Sequence, residues 1–328
     1  MSAKGRALLI YNICGIKLDN TDKYPIFLSN IAEQKFDGEL VVVVSACKPH
    51  DRTVPTLKQM FPQFDYNTIH DAHPVNVTCN HSVLEAVKRH GEFDTYIYQS
   101  CDSFMLSDDT LQGAFDILTT NPTHGMVAPQ IDIDSCYAYG LKLGGGRHVI
   151  DDEKARYEMF KDGADYIVPP GKACASHLLL YDKKVFDFYG KIIPDIFASH
   201  CTESVFTFVA GALGLNWVIL REQKIHHASS MDGPSWGFRP EGRDLPDYDH
   251  PIPQYGESMI HIFECEEARK LGLGYEECKN LIPHDPSQFD ENGHCVNDEL
   301  KHYIKNNLYV SKEVLDYDSI KSDYYAAE

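Results

Sequence analysis

Two continuous apolar runs open the chain, ALLIYNI at 7–13 and ELVVVVSAC at 39–47. Neither alternates with polar residues, so each predicts a strand covered on both faces, as in a parallel sheet. Between them PIFLSNIAEQ (25–34) places apolar residues at 26, 27, 28 and 31, a spacing that suits a helix packed on that sheet. TVPTLKQMF (53–61) reads as the next helix and YNTIHD (66–71) as a short third strand. NHSVLEAVKRHG (80–91) reads as a helix with a glycine stop. TYIYQSCDS then gives a fourth strand that runs out at Asp102. Strand and helix alternate throughout, which predicts a Rossmann-like α/β domain with a mostly parallel sheet flanked by helices.

The pattern continues past this point with less regularity. TLQGAFDILTT (110–120) predicts a helix and GMVAPQIDI (125–133) a strand. A loop-rich region follows, punctuated by Gly144-Gly145-Gly146 and Pro169-Pro170-Gly171. SHLLLYDKKVFDFYG (176–190) reads as a strand and then a helix. ESVFTFVAGALGLNWVIL (203–220) reads as a helix, a break at Gly214 and a strand. Its apolar stretch is under membrane-spanning length and contains Asn216, so no membrane span is expected. Polarity rises after His227; Pro, Gly and Asp dominate 231–260, and helices are expected at 264–271, 275–282, 297–308 and 311–325.

Charge narrows the list of partners. Thirty basic residues against 49 acidic ones give a net charge of −19. A groove that grips nucleic acid needs clustered Lys and Arg to displace counterions, and the chain has no such run. The same balance disfavours an anionic membrane surface. None of the ten cysteines forms a Cys-x-x-Cys pair, and several sit in apolar runs. They read as free, buried thiols in a reducing compartment, and the N-terminus lacks a signal-peptide pattern. The expectation is a soluble, cytoplasmic protein.

Asp102 is the first candidate for chemistry. In α/β sheets the carboxyl ends of strands are where ligands sit, although Asp and Ser in such a place also serve as helix caps. A cation bridging a diphosphate needs carboxylate oxygens there. Asp132-Ile133-Asp134 after the next strand competes for that role, but chain position favours Asp102. No Gly-x-Gly-x-x-Gly follows the first strand and no Gly-Lys-Ser/Thr occurs, so dinucleotide and P-loop readings are poor. The triple glycine lies too late to be the first strand-to-helix turn and reads as a loop.

Three segments, in order, carry a family resemblance. YPIFLSNIAEQKFDGELVVVVSACKPHD (24–51), VTCNHSVLEAVKRHGEFDTYIYQSCDSFMLSDDTL (77–111) and TESVFTFVAGALGLNWVILREQKIHH (202–227) together resemble an inverting GT-A glycosyltransferase of the family 2 type. The resemblance covers about residues 1–230, with a nucleotide-sugar half at about 1–106 and an acceptor half at about 107–230. Residues 231–328 would form a loop-rich and helical C-terminal extension. What it implies is transfer of a sugar from a nucleoside-diphosphate sugar to a hydroxyl acceptor, a glycan or small molecule, aided by Mn2+ or Mg2+. Asp102 would anchor the cation with His226 or His227. Glu203 would be the base that deprotonates the acceptor, although Glu in a first helical turn is also favoured by the helix dipole. Asn12, Ser45 and Asn80 would lie on the donor side, although N-capping accounts fully for Asn80. Trp236 and Phe238 could platform a sugar ring or pack under their loop, and the loop Ser229–Pro240 is expected to close over the donor.

This chain departs from the family in keeping single carboxylates. Cys101-Asp102-Ser103 and Thr202-Glu203-Ser204 stand where acidic runs are usual, and the second strand ends on Ser45-Ala46-Cys47. Two other classes therefore stay open at this point: a nucleotidyltransferase of the same architecture, and a catalytically inactive sugar-nucleotide-binding protein. The oligomeric state is not legible.

Overall fold

The computed structural model describes residues 5–14, 24–47, 49, 51–70, 75–101, 103–131, 160–168, 177–190, 192, 210, 213–227 and 317–327. The first half follows the apolar pattern closely. Strand β1 (Arg6–Cys14) is followed by helix α1 (Tyr24–Ala32), β2 (Glu39–Cys47), α2 (Thr53–Met60), β3 (Asp65–Ile69), α3 (Val75–His90) and β4 (Thr95–Gln99). Then come β5 (Ser103–Met105), α4 (Thr110–Thr120), β6 (His124–Ile131), β7 (Tyr166–Ile167), β8 (Leu178–Asp182), α5 (Lys183–Tyr189), β9 (Asn216–His227) and β10 (Ser322–Tyr325).

The strands form one mixed sheet in the order β10-β3-β2-β1-β4-β8-β6-β9-β5, with β7 paired to β9. The nucleus β3-β2-β1-β4 is parallel throughout, and β6 and β9 are parallel to each other. Strand β8 is antiparallel to both β4 and β6, so it reverses direction inside the sheet. The continuous apolar runs are explained by burial on both faces: Ala7, Leu8, Leu9, Ile10 and Tyr11 of β1 are all at 0% exposure. Helix α3 packs on β1 and β2, and α4 on β6 and β8. Two glycines stop elements where the sequence expects it, Gly91 (φ 80°) after α3 and Gly214 (φ 70°) before β9, both in the region that favours glycine.

Three local expectations are corrected. Helix α3 begins at Val75, five residues before Asn80, so Asn80 lies in its second turn rather than at its cap. Burial of Val77, Thr78 and Cys79 against the sheet extends the helix over residues whose own propensities do not announce it. The helix expected at 311–325 is, over its described part, a 3-10 turn at Tyr317–Ser319 followed by strand β10. Pairing with the open edge of β3 overrides local preference there. The fourth strand, expected to run out at Asp102, ends at Gln99, and Ser103 opens the separate short strand β5, paired with β9. The helices expected at 264–271, 275–282 and 297–308 lie outside the described residues.

Candidate active site

The carboxyl ends of β1, β2, β3, β4, β6 and β9 share one edge of the sheet, and the antiparallel β8 starts there. Gln99 closes β4, and the four-residue step to Ser103 is tied down from several sides. Gln99 Nε2 donates to the Ser103 carbonyl at 3.1 Å, and Ser103 Oγ lies 3.1 Å from both the Ser100 and His177 carbonyls. Ser100 N donates to the His177 carbonyl at 2.9 Å, and Ser100 Oγ is 3.2 Å from His177 Nδ1. Tyr11 OH, from the central strand, donates to the Cys101 carbonyl at 2.8 Å. The turn that carries Asp102 is thus fixed on both flanks, while Asp102 itself lies outside the described residues.

The shortness of this turn constrains the shape of the sheet. Strands β4 and β5 are four places apart in the order, a separation of about 19 Å in a flat sheet. Four residues reach only about 14 Å. The far end of the sheet must therefore fold back over β4, and a break in β9 supplies the bend. Pro129 pairs with Leu220 but Gln130 with Lys224, leaving Arg221, Glu222 and Gln223 as extra residues on β9. Gln130 Nε2 reaches across this bulge to the Arg221 carbonyl. Beyond it β9 turns to meet β5 antiparallel, with Ser103 opposite His227, Phe104 opposite His226 and Met105 opposite Ile225. The closing histidines of β9 are thereby set across from the residues that immediately follow Asp102. Helix α1 secures the other side of β5: Met105 N donates to Asn30 Oδ1 at 2.8 Å and Asn30 Nδ2 to the Met105 carbonyl at 2.9 Å.

A second group of candidates lies where α3 meets the carboxyl ends of β1 and β2. Asn12 and Ser45 face each other in register, at 2% and 0% exposure. Thr78 Oγ1 donates to Asn12 Oδ1 at 3.1 Å, and Ser45 Oγ donates to the Thr78 carbonyl at 3.2 Å. Ser82 Oγ donates to Ser45 Oγ at 2.8 Å, and Asn67 Nδ2 to Ser82 Oγ at 2.8 Å. This buried polar seam anchors the first turns of α3 to the ligand edge. Asn80 joins three segments: its Oδ1 accepts from Ile192 N at 3.1 Å and its Nδ2 donates to Tyr317 OH at 3.3 Å.

Among the described residues, no three His, Cys, Asp or Glu side chains come together as a metal site. Asp102 and the side chain of His227 are not part of that description, and His226 is half-buried. Glu203, Asp132, Asp134, Trp236, Phe238 and the triple glycine also lie outside the described residues. Cys47, Cys79 and Cys101 form no disulfide. Among the described helices none is long and apolar enough to cross a membrane. Two residues that matter here carry no sequence signal: His177, which opens β8 against the Asp102 turn, and Tyr317, which comes from a stretch read as helix.

No protein-family model matches the chain, and no curated protein matches it. The structure is similar to the mannosyltransferase PcManGT from Pyrobaculum calidifontis, solved with GDP-Man and Mn2+. The TM-score is 0.53 at 14% identity, covering 96% of this chain and 77% of that one. It is also similar to GalNAc-T7, solved with UDP, GalNAc and Mn2+, with a TM-score of 0.53 at 10% identity. There the match covers 92% of this chain and 55% of the other, so this chain spans little more than half of GalNAc-T7. The chain has the GT-A fold that these glycosyltransferases share.

Proposed function

We propose that this protein is a glycosyltransferase that moves a sugar from a nucleoside-diphosphate sugar to a hydroxyl acceptor with inversion. The observation that carries the reading is the ladder of β5 on β9, which sets His226 and His227 against the residues following Asp102 at the ligand edge of a GT-A sheet. The carboxylate of Asp102 with an imidazole from His226 or His227 would form a donor set that suits Mn2+ or Mg2+ alongside phosphate and water oxygens. Asp102 and His226 or His227 would hold the cation. When bound it neutralises charge that develops on the departing diphosphate.

The chain's own groups do the rest. The acceptor oxygen forms its bond to the anomeric carbon as the bond from that carbon to the diphosphate oxygen breaks, and the acceptor proton passes to the Glu203 carboxylate. The hydrogen bonds on Gln99, Ser100, Cys101 and Ser103 order both flanks of the Asp102 position before substrate arrives, which favours a preorganised site. The buried seam of Asn12, Ser45 and Thr78 fixes the donor-side wall, and Trp236 contributes an aromatic face to the donor. Residues 231–316 would shape the acceptor side, residues 317–327 being paired instead with the edge of β3, and the loop Ser229–Pro240 would close over the bound donor.

A product assay tests this reading. The full chain, supplied with Mn2+ and a panel of UDP-, GDP-, CMP- and dTDP-sugars, is expected to release nucleotide from one of them, and more so with pooled glycan acceptors. Metal removal by chelator should abolish the release. Absence of turnover with every donor, in the presence of Mn2+, would contradict the enzyme reading.

A further inference from the structure

Strand β3 is covered differently on its two faces, because side chains along a strand alternate between them. Asp65 and Asn67 turn to α3: His90 Nε2 lies 2.7 Å from Asp65 Oδ2, and Asn67 Nδ2 donates to Ser82 Oγ at 2.8 Å. Tyr66 and Thr68 turn to the other face, where Tyr66 OH donates to the Leu57 carbonyl of α2 at 2.9 Å. Strand β10 keeps the same alternation. Tyr324, opposite Asn67, donates to Asp65 Oδ2 at 2.6 Å and lies under Arg89 of α3. Tyr325, opposite Tyr66, therefore faces α2. Helix α2 has eight residues, only about 12 Å of length. Beside it a cavity of about 830 Å³ is left open, with β3 as its floor and Tyr325 and Ala326 of β10 in its wall.

The polar groups of this cavity are mainly donors. Lys58 reaches across it from α2, its Nζ 3.8 Å from the centre of the Tyr325 ring, and forms no ion pair with any described residue. An ammonium in a concave site without a carboxylate of its own is complementary to an anion. Thr68 lines the floor, and its hydroxyl is buried with no hydrogen-bond partner. At the rim, His70 Nε2 lies 3.1 Å from Asp323 Oδ2 and so occupies that carboxylate. Asp51, the acid in the lining, is exposed and lies seven residues before Lys58, about two helical turns away. Pro55, Phe64 and Ile69 give the cavity apolar surface, and the Tyr325 ring is 39% exposed. We propose that this cavity is a second ligand site that takes an organic anion, a carboxylate or phosphate ester with an apolar body. Its charged group meets Lys58, and its body lies against Pro55, Phe64 and Tyr325. Strands β2 and β1 stand between β3 and β4, so the site is about 14 Å across the sheet from the strand that leads to Asp102. It does not depend on the donor reading above. A bound anion joins α2 to β10 and thereby holds the C-terminal strand on the sheet edge.

Naphthoate and the matching neutral naphthyl alcohol test this when each is titrated calorimetrically into the full chain. The carboxylate is expected to bind about 3- to 10-fold more tightly than the alcohol, the range of one partly exposed charge pair. Lys58→Met should erase that preference, and Lys58→Arg, which keeps the charge, should retain it. Hydrogen exchange with saturating naphthoate should slow at residues 51–70 and 322–326. UDP or GDP with Mn2+ should leave the naphthoate affinity unchanged. Equal affinity for the two probes, a preference that survives Lys58→Met, or no binding of either at millimolar concentration overturns the inference. So does protection confined to other parts of the chain. Displacement of naphthoate by UDP or GDP overturns it too, because the cavity would then belong to the donor site.

Discussion

Glu203 and Asn80 show how differently single residues enter this account. Glu203 is proposed for a proton-transfer role, and Glu203→Gln keeps its shape and its hydrogen-bonding reach while removing basicity. Turnover is expected to fall by about 10²–10⁴-fold with donor affinity unchanged, measured by steady-state kinetics and by equilibrium binding. Unchanged turnover would remove Glu203 from the proton-transfer role. Asn80 acts through geometry instead, as a clamp between α3, Ile192 and Tyr317. Its residue type suggested an N-cap, yet α3 starts at Val75 because Val77, Thr78 and Cys79 are buried on the sheet. A short polar residue near the start of an apolar run does not reveal whether its helix has already begun.

At the scale of elements, β5 is the piece on which the active edge depends. Only three residues long, it is held by β9 on one side and by Asn30 of α1 on the other. The Asn30 amide stands in for a missing strand, satisfying both the Met105 N–H and its carbonyl. Asn30→Leu fits an apolar site but leaves two buried backbone groups without that partner, at a cost of about 2–5 kcal/mol. Chemical denaturation should show this loss, and hydrogen exchange should show it concentrated at residues 103–106. A loss below about 1 kcal/mol would mean that β9 alone holds β5. Strands β1, β2, β4 and β6 were legible because burial on both faces writes a continuous apolar run, whereas β5 was not. SFM is too short to show a period, and its pairing is set by a bulge in β9 more than a hundred residues later. The juxtaposition of Asp102's neighbours with His226 and His227 was likewise expected only through resemblance. Register across a bend is a tertiary fact with no local signature.

For the whole molecule, the segment 317–327 folds back onto the edge of the sheet at β3. Residues read as a terminal helix supply instead the edge strand that covers β3, an edge that would otherwise present unpaired backbone groups. Asp65 is the anchor, and burial together with that neighbouring carboxylate pushes the Tyr324 phenol well above its ordinary value of 10.0. Because the folded state raises this pKa, the contribution of Tyr324 is fully present below pH 10.0 and is lost as pH rises beyond it. Tyr324→Phe is therefore expected to lower stability by about 1–3 kcal/mol at neutral pH, with the difference from wild type shrinking in alkali. Equal stability at neutral pH would show that the backbone ladder suffices to hold the tail. The central claim is that the folded-back end of the sheet makes one cation and donor site at Asp102, and Mn2+ titration followed by electron paramagnetic resonance tests it most directly. Asp102→Ala should abolish the donor-dependent bound Mn2+ signal while Asp132→Ala retains it, both variants keeping the wild-type melting temperature. Retention in Asp102→Ala with loss in Asp132→Ala would put the site on a different strand and contradict the account.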